Sequence, residues 1–218
     1  MRRIVSVVCP SFALWAQPHP GNVQEPQPWV LTVEQRNLVL VHDANPAART
    51  AGAMLGQPLT DDRAFVPGLR SMNADTACIE RAWHQLAHWL TRYTPMVALD
   101  PANAPMDMGG TAGFLLDVSG CAHLFGGEPG LLQDMVDRLQ SRGLPIRAAM
   151  ADTPLAAWGL ARYGNDPLLC VPKGETLPAL RPLPVTALNL PEDTVEALDR
   201  LGLRRIGDIA QLDRQALG

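Results

Sequence analysis

Ile4 to Val8 is a short, mostly apolar run closed by Cys9-Pro10, the pattern of a buried strand. The next stretch is rich in breakers. Pro18, Pro20, Pro26 and Pro28 with Gly21 exclude a long helix there, and two short strands, Trp29 to Val33 and Leu38 to His42, are expected after it. Pro46 to Leu55 fits one helix, and Gly56 to Asn73 reads as loop. From Ala74 the spacing changes to threes and fours. Ile79, Ala82, Trp83, Leu86 and Leu90 predict a strong amphipathic helix running to the stop at Tyr93-Thr94-Pro95.

Met96 to Leu99 and Gly113 to Ser119 are predicted strands separated by a Pro/Gly loop. Leu132, Met135, Val136 and Leu139 predict a helix over Pro129 to Gln140 that closes near Gly143, and Ile146 to Ala151 is a further strand. With residues 11–75 set aside as an insertion, the order is strand, helix, strand, strand, helix, strand. That order predicts an α+β fold of the ferredoxin-like, split βαβ kind. Asp152-Thr153-Pro154 then opens a helix ended by Tyr163-Gly164. The remainder is expected to be a separate helical unit. In it Pro191 starts a helix carrying Val195, Leu198 and Leu201, Gly202 terminates it, and Ile206 to Leu212 starts another.

Composition narrows the function classes. A chain of 218 residues can bury a sizeable core. No apolar run approaches the roughly 18 residues of a membrane span, and Met1-Arg2-Arg3 leads into a strand rather than a signal core, so a cytoplasmic protein is expected. Cys9, Cys78, Cys121 and Cys170 are far apart with no C-x-x-C pair, which argues against a zinc knuckle or a disulfide framework. The net charge of -4 weighs against a strongly basic nucleic-acid surface, although a local patch remains open. Lys173 is the only lysine among the cations.

Several motifs have plain readings. His84 and His88 have the spacing of a zinc-protease helix, but Gln85 holds the general-base position and Arg81 shares the polar side, so they read as a solvated face. Cys121 and His123 lack a second pair of ligands and read as packing at a strand end. Gly126-Gly127-Glu128 lacks the Lys-Ser/Thr of a P-loop and reads as the turn into the next helix.

In a ferredoxin-like sheet the first and third strands are antiparallel neighbours, so the end of one meets the start of the other. Acidic residues at such a junction can hold two divalent ions about 4 Å apart for phosphoryl transfer. Around that junction the residues Leu116-Asp117-Val118-Ser119-Gly120-Cys121-Ala122-His123-Leu124-Phe125-Gly126-Gly127-Glu128 and Ala151-Asp152-Thr153-Pro154-Leu155-Ala156-Ala157-Trp158 form two distinctive stretches. They are supported by Leu86-Ala87-His88-Trp89 before Arg92-Tyr93-Thr94-Pro95, and by Leu201-Gly202-Leu203 before Ile206-Gly207-Asp208-Ile209. On these residues the chain resembles the Y-family (UmuC/DinB-like) translesion DNA polymerases, and more closely their ImuB-type, catalytically degenerate branch.

The resemblance implies a palm of residues 1–10 and 76–165, fingers of 11–75, and a partial helix-hairpin-helix thumb of 166–218, with little finger and C-terminal tail beyond Gly218. Aligning on Phe12-Ala13 puts the two aspartates of the active enzymes at Val7 and Cys9, and aligning on Leu116 to Ser119 puts their acidic pair at Ala112 and Gly113. Neither Val nor Ala can ligate Mg²⁺, a hard ion that takes oxygen donors, and a soft Cys thiol is a poor substitute. No catalytic residue, metal or cofactor is therefore expected. The N-K of active enzymes reads Asp152-Thr153, and their thumb G-I-G reads Asn189-Leu190-Pro191, where proline removes an amide donor.

Ala48-Arg49 matches the A-R that meets an incoming triphosphate, with Pro46 in place of a tyrosine, so Arg49 is the nucleotide-binding candidate. Asn189, Leu190, Arg204 and Arg205 are the DNA-binding candidates. Asp100, Asp107 and Asp117 are the remaining carboxylates near the junction; Asp107 lies in a loop free to drift toward a metal. The resemblance implies a scaffold in damage-induced mutagenesis, with weak primer-template DNA contact. Its partners would be an error-prone replicative-type polymerase, the sliding clamp and a RecA-like accessory protein. A divergent active polymerase that recruits other carboxylates, and a protein-binding module without DNA contact, are the alternatives.

Overall fold

The computed structural model describes residues 2–17 and 27–211; the prolines at 18, 20 and 26, Gly21 and Leu212 lie outside them. The strands are β1 (Ile4–Cys9), β2 (Trp29–Gln35), β3 (Leu38–Ala44), β4 (Arg70–Asn73), β5 (Val97–Leu99), β6 (Ala112–Asp117), β7 (Arg147–Ala151) and β8 (Leu168–Cys170). The helices are α1 (Phe12–Ala16), α2 (Pro46–Thr50), α3 (Leu59–Phe65), α4 (Thr76–Leu90), α5 (Glu128–Gln140), α6 (Pro154–Tyr163), α7 (Thr176–Leu180), α8 (Glu192–Arg200) and α9 (Ile206–Ala210). Among the described residues no helix is long and apolar enough to cross a membrane.

Five strands form one sheet in the order β5-β6-β1-β7-β8. β1 lies at its centre, antiparallel to both β6 and β7. Its mostly apolar run, interrupted only by the buried Ser6, follows from burial on both faces, because side chains alternate across a strand. Val5, Val7 and Cys9 pack into a core with α1, α4 and α5, while Ile4 and Val8 pack with α6 into a second core. The long amphipathic helices present the faces their spacing predicts. Ile79, Trp83, Leu86 and Leu90 of α4 are buried, as are Leu131, Leu132, Met135, Val136 and Leu139 of α5. Asp75 caps α4 by accepting from the Cys78 amide, and Thr153 caps α6 by accepting from Ala156, with Pro154 in the first turn.

Residues 29–73 build a smaller three-stranded sheet, β3-β2-β4, over its own core of Val30, Val41, Ala44, Ala48, Ala53, Leu59 and Val66. Two expectations fail here. The helix expected over Pro46 to Leu55 ends at Thr50, because Gly52 takes φ 102° and the Ala53 amide turns back to the Ala48 carbonyl, a glycine stop after the last turn. The expected loop from Gly56 to Asn73 contains α3 and β4. β4 pairs parallel with β2, a pairing made far away in sequence that a four-residue, half-polar segment does not advertise.

Helix α1 precedes this sheet and packs instead on the main core, through Phe12, Ala13 and Leu14. Beyond α6 the stretch expected to be wholly helical first adds β8, parallel to β7. The helices that follow seat on α6 through Leu183, Ala187 and Ile206. A Cβ on Gly159 would stand 2.6 Å from the Ala187 carbonyl oxygen, so α6 touches the following segment backbone to backbone.

Candidate functional site

The four positions expected to be degenerate come together at one end of the β1–β6 pair. Cys9 lies opposite Ala112, Val8 opposite Gly113 and Val7 opposite Phe114. Val7, Cys9 and Ala112 are fully buried in the apolar core shared with α4 and α5. Burial pushes the Cys9 thiol up to about 12, so at neutral pH it is a protonated, hydrophobic group rather than a thiolate ligand. The side chains at these four positions offer a hard divalent ion no oxygen, and they do not fit one.

Gly113 faces the other side of the sheet. A Cβ there would sit 2.8 Å from both Cβ and Oδ2 of Asp100 and 3.0 Å from Cβ of Asn103, so the absence of a side chain is what admits Asp100. Asp100 is buried and fully engaged. Its Oδ2 accepts from Arg162 Nη2 at 2.5 Å, Trp158 Nε1 at 2.9 Å and Asn103 Nδ2 at 3.1 Å, and its Oδ1 accepts from the Ala102 amide at 3.1 Å. Arg162 also donates through Nη1 to Ser6 Oγ of β1 at 3.2 Å and to the Trp158 carbonyl at 3.1 Å, and it stacks on the Trp158 ring. Burial brings its guanidinium down to about 10 against the pull of Asp100, which leaves it charged at neutral pH.

A second internal carboxylate, Asp43, escaped the sequence reading. It is fully buried at the end of β3, accepts from the Leu14 and Ala44 amides, and pairs with Arg49 Nη2 at 3.0 Å. Desolvation raises its carboxyl above the usual range against those hydrogen bonds and the Arg49 charge. Arg49 is thus held at Asp43, the Ala44 carbonyl and Ser11. It still lines a cavity of about 710 Å³ with Pro10, Ser11, Trp15, Pro46 and Thr111. No local signal in the sequence marks Asp43, because its burial is set by the packing around the end of β3.

Of the other carboxylates, Asp107 stays exposed in its loop. Asp117 accepts from Ser119, which, with Arg2 nearby, holds it below its ordinary value. Asp152 is a structural hub, bonded to Arg3 at 2.8 Å, the Gly174 amide and the Thr176 hydroxyl. Among the described residues no group of three or more His, Cys, Asp or Glu is placed to hold a metal. His84 and His88 are exposed, and His123 bonds the Gly120 carbonyl.

In the helical unit Asn189 is exposed at φ 51° and ends a short turn, Leu190 is half-buried, and Pro191 precedes α8. Arg204 is exposed but pairs with Asp199 at 2.8 Å, while Arg205 makes no ion pair among the described residues. Backbone bonds between Val185 and Arg204 and between Ile206 and Leu183 hold the two turns together.

Residues 22–162 match the model of the impB/mucB/samB family, and the chain belongs to that family, the UmuC/DinB-like Y-family domain. It is 42% identical over 166 residues to Protein ImuB of Caulobacter vibrioides, covering 76% of this chain and 34% of that protein. It is 28% identical over 180 residues to DNA polymerase IV 2 of Mesorhizobium japonicum, covering 80% of this chain and 40% of that one. Among solved structures it is similar to an insertion ternary complex of Dbh DNA polymerase, with TM-score 0.75, 18% identity and coverage of 98% and 62%. DinB from Sulfolobus solfataricus is similar at TM-score 0.71 and 19% identity, with the same coverage of 98% and 62%. The chain spans well under half the length of the curated relatives it matches and about 62% of these solved ones. The fold is mixed α+β and resembles the palm and fingers region of Y-family polymerases.

Proposed function

We propose that this chain is the polymerase-like core of a non-catalytic Y-family homologue that serves as a scaffold in damage-induced mutagenesis and translesion synthesis. Four strands of the larger sheet, β1, β5, β6 and β7, with α4 and α5 form a ferredoxin-like palm of residues 1–10 and 76–165, and β8 extends its edge from the following segment. Residues 11–75 are the fingers, and 166–218 are a helix-hairpin-helix thumb with Asn189 and Leu190 at the hairpin. The observation that supports this reading most is the state of the β1–β6 end. Three would-be ligand positions are sealed in apolar core, and the fourth is a glycine covered by Asp100.

Primer-template DNA is the weakly bound ligand of this reading. Asn189, Leu190, Arg204 and Arg205 would meet its backbone, and Arg49, which lines the cavity while paired with Asp43, would meet a phosphate there. The error-prone replicative-type polymerase, the sliding clamp and a RecA-like accessory protein are the partners it implies, in a cytoplasmic setting. The test is single-nucleotide primer extension with Mg²⁺ and Mn²⁺, with the full-length protein in excess over primer-template and DNA binding measured in parallel. Binding without extension is expected. Extension that survives purification controls would make the chain a divergent polymerase, and no salt-sensitive DNA binding at low ionic strength would favour a purely protein-binding module.

A further inference from the structure

The Asp100–Arg162 pair draws on three separated parts of the chain. Asp100 follows β5, Arg162 ends α6, and Ser6, which accepts from the same guanidinium, lies in β1. The side chains of the pair are 5% and 10% exposed, so both charges are withdrawn from water. A desolvated guanidinium persists only where its charge is compensated. Here Nη1 and Nη2 have three oxygen partners and Cζ lies 4.3 Å over the Trp158 ring, while Nε is buried without a hydrogen-bond partner among the described residues, so the pairing with Asp100 carries most of the compensation. The carboxylate comes within reach because position 113 has no side chain. A glutamate there would need the volume that Asp100 fills.

We infer that the Asp100–Arg162 pair is a resident replacement for a bound cation at the β1–β6 end, and that it closes this site to divalent ions independently of the missing carboxylates. The inference rests on the reading of that end as the former metal site. A fixed guanidinium already supplies the positive charge, occupies the carboxylate that a metal would need, and repels a second cation in a desolvated space. Returning a glutamate to position 113 therefore does not by itself make a metal site. It forces apart a buried ion pair.

The test is a four-cornered stability cycle: wild type, Gly113→Glu, Asp100→Gly/Arg162→Met, and all three changes together. Glycine is used at 100 because a Cβ at position 113 would stand 2.8 Å from the Asp100 Cβ itself. Gly113→Glu is expected to lower Tm by on the order of 10 °C in the wild-type background and by less than half of that once the pair is gone. Equal losses in both backgrounds would overturn the inference. A second measurement needs no variant: terbium titration of the wild type, read by tryptophan-sensitised emission with Trp158 against the pair. No saturable emission is expected, and micromolar saturation competed by Mn²⁺ would sink the idea. Both readouts are independent of primer extension, so an active chain with intact coupling would overturn the proposed function alone.

Discussion

Arg49 Nη2 lies 3.0 Å from Oδ1 of Asp43, a carboxylate with no exposed surface on its side chain. The arginine aligned with a triphosphate contact therefore has an internal anion of its own. Arg49→Ala leaves Asp43 buried with the Leu14 and Ala44 amides and the Ser11 hydroxyl but no cation, and a loss of about 1–3 kcal/mol is expected because Arg49 is itself partly solvated. Urea denaturation at neutral pH checks this; an unchanged midpoint would show the pair to be idle. Asp43→Asn in the same background should recover part of the loss, since no buried charge then remains.

Asp152 gives a pH dependence with a definite sign. Burial works to raise its carboxyl, but the Gly174 amide, the Thr176 hydroxyl and Arg3 outweigh it and hold it below its ordinary value. A depressed folded pKa contributes stability that is present above the unfolded value of about 3.9 and is lost as pH falls through the folded one. Asp152→Asn should lower stability at pH 7 by about 1–2 kcal/mol and flatten the acid limb below about pH 4. Denaturation curves collected from pH 7 to pH 2.5 would reveal a wild-type and variant difference that shrinks with acid. A difference that stays constant would assign the loss to packing.

Gly159 sets two effects against each other. Alanine in a helix interior ordinarily gains about 0.5–1 kcal/mol over glycine. Here its Cβ would meet the Ala187 carbonyl at 2.6 Å, and the backbone contact between α6 and the next segment has to open. Overpacking of this kind costs about 1–3 kcal/mol, so Gly159→Ala is expected to destabilise. A higher Tm for the variant would mean that the two segments are not in contact.

The two arginines of the helical unit should behave differently on DNA. Arg204 is tied to Asp199 at 2.8 Å, whereas Arg205 is exposed without an ion pair among the described residues. Under the proposed backbone contact, Arg205→Ala reduces the slope of log K against log salt by about 1 and Arg204→Ala by less. Fluorescence anisotropy over a salt series reads both slopes. Equal slopes for both variants and the wild type would remove this surface from the DNA site.

Helices α4 and α5 were legible because their apolar positions repeat every three to four residues, and β1 because its run is apolar at every position but Ser6. β4 and β8 were not, since each is short and exists through a parallel partner contributed by a distant segment. The helix expected over Pro46 to Leu55 ran past Gly52, whose positive φ ends α2 at Thr50. Asp43 was passed over because a lone aspartate in a strand looks the same whether its surroundings are wet or dry.

Composition at single positions settled part of the chemistry without any structure: valine, alanine and glycine have no donor atoms in their side chains, wherever they are placed. What stands in the place of a ligand is another matter. Asp100 and Arg162 are 62 residues apart, and Arg49 reaches Asp43 only because α2 folds back on β3. The worth and the role of a charge depend on its desolvation and on which partner is packed against it. Local sequence specifies neither, and the tertiary structure decides both.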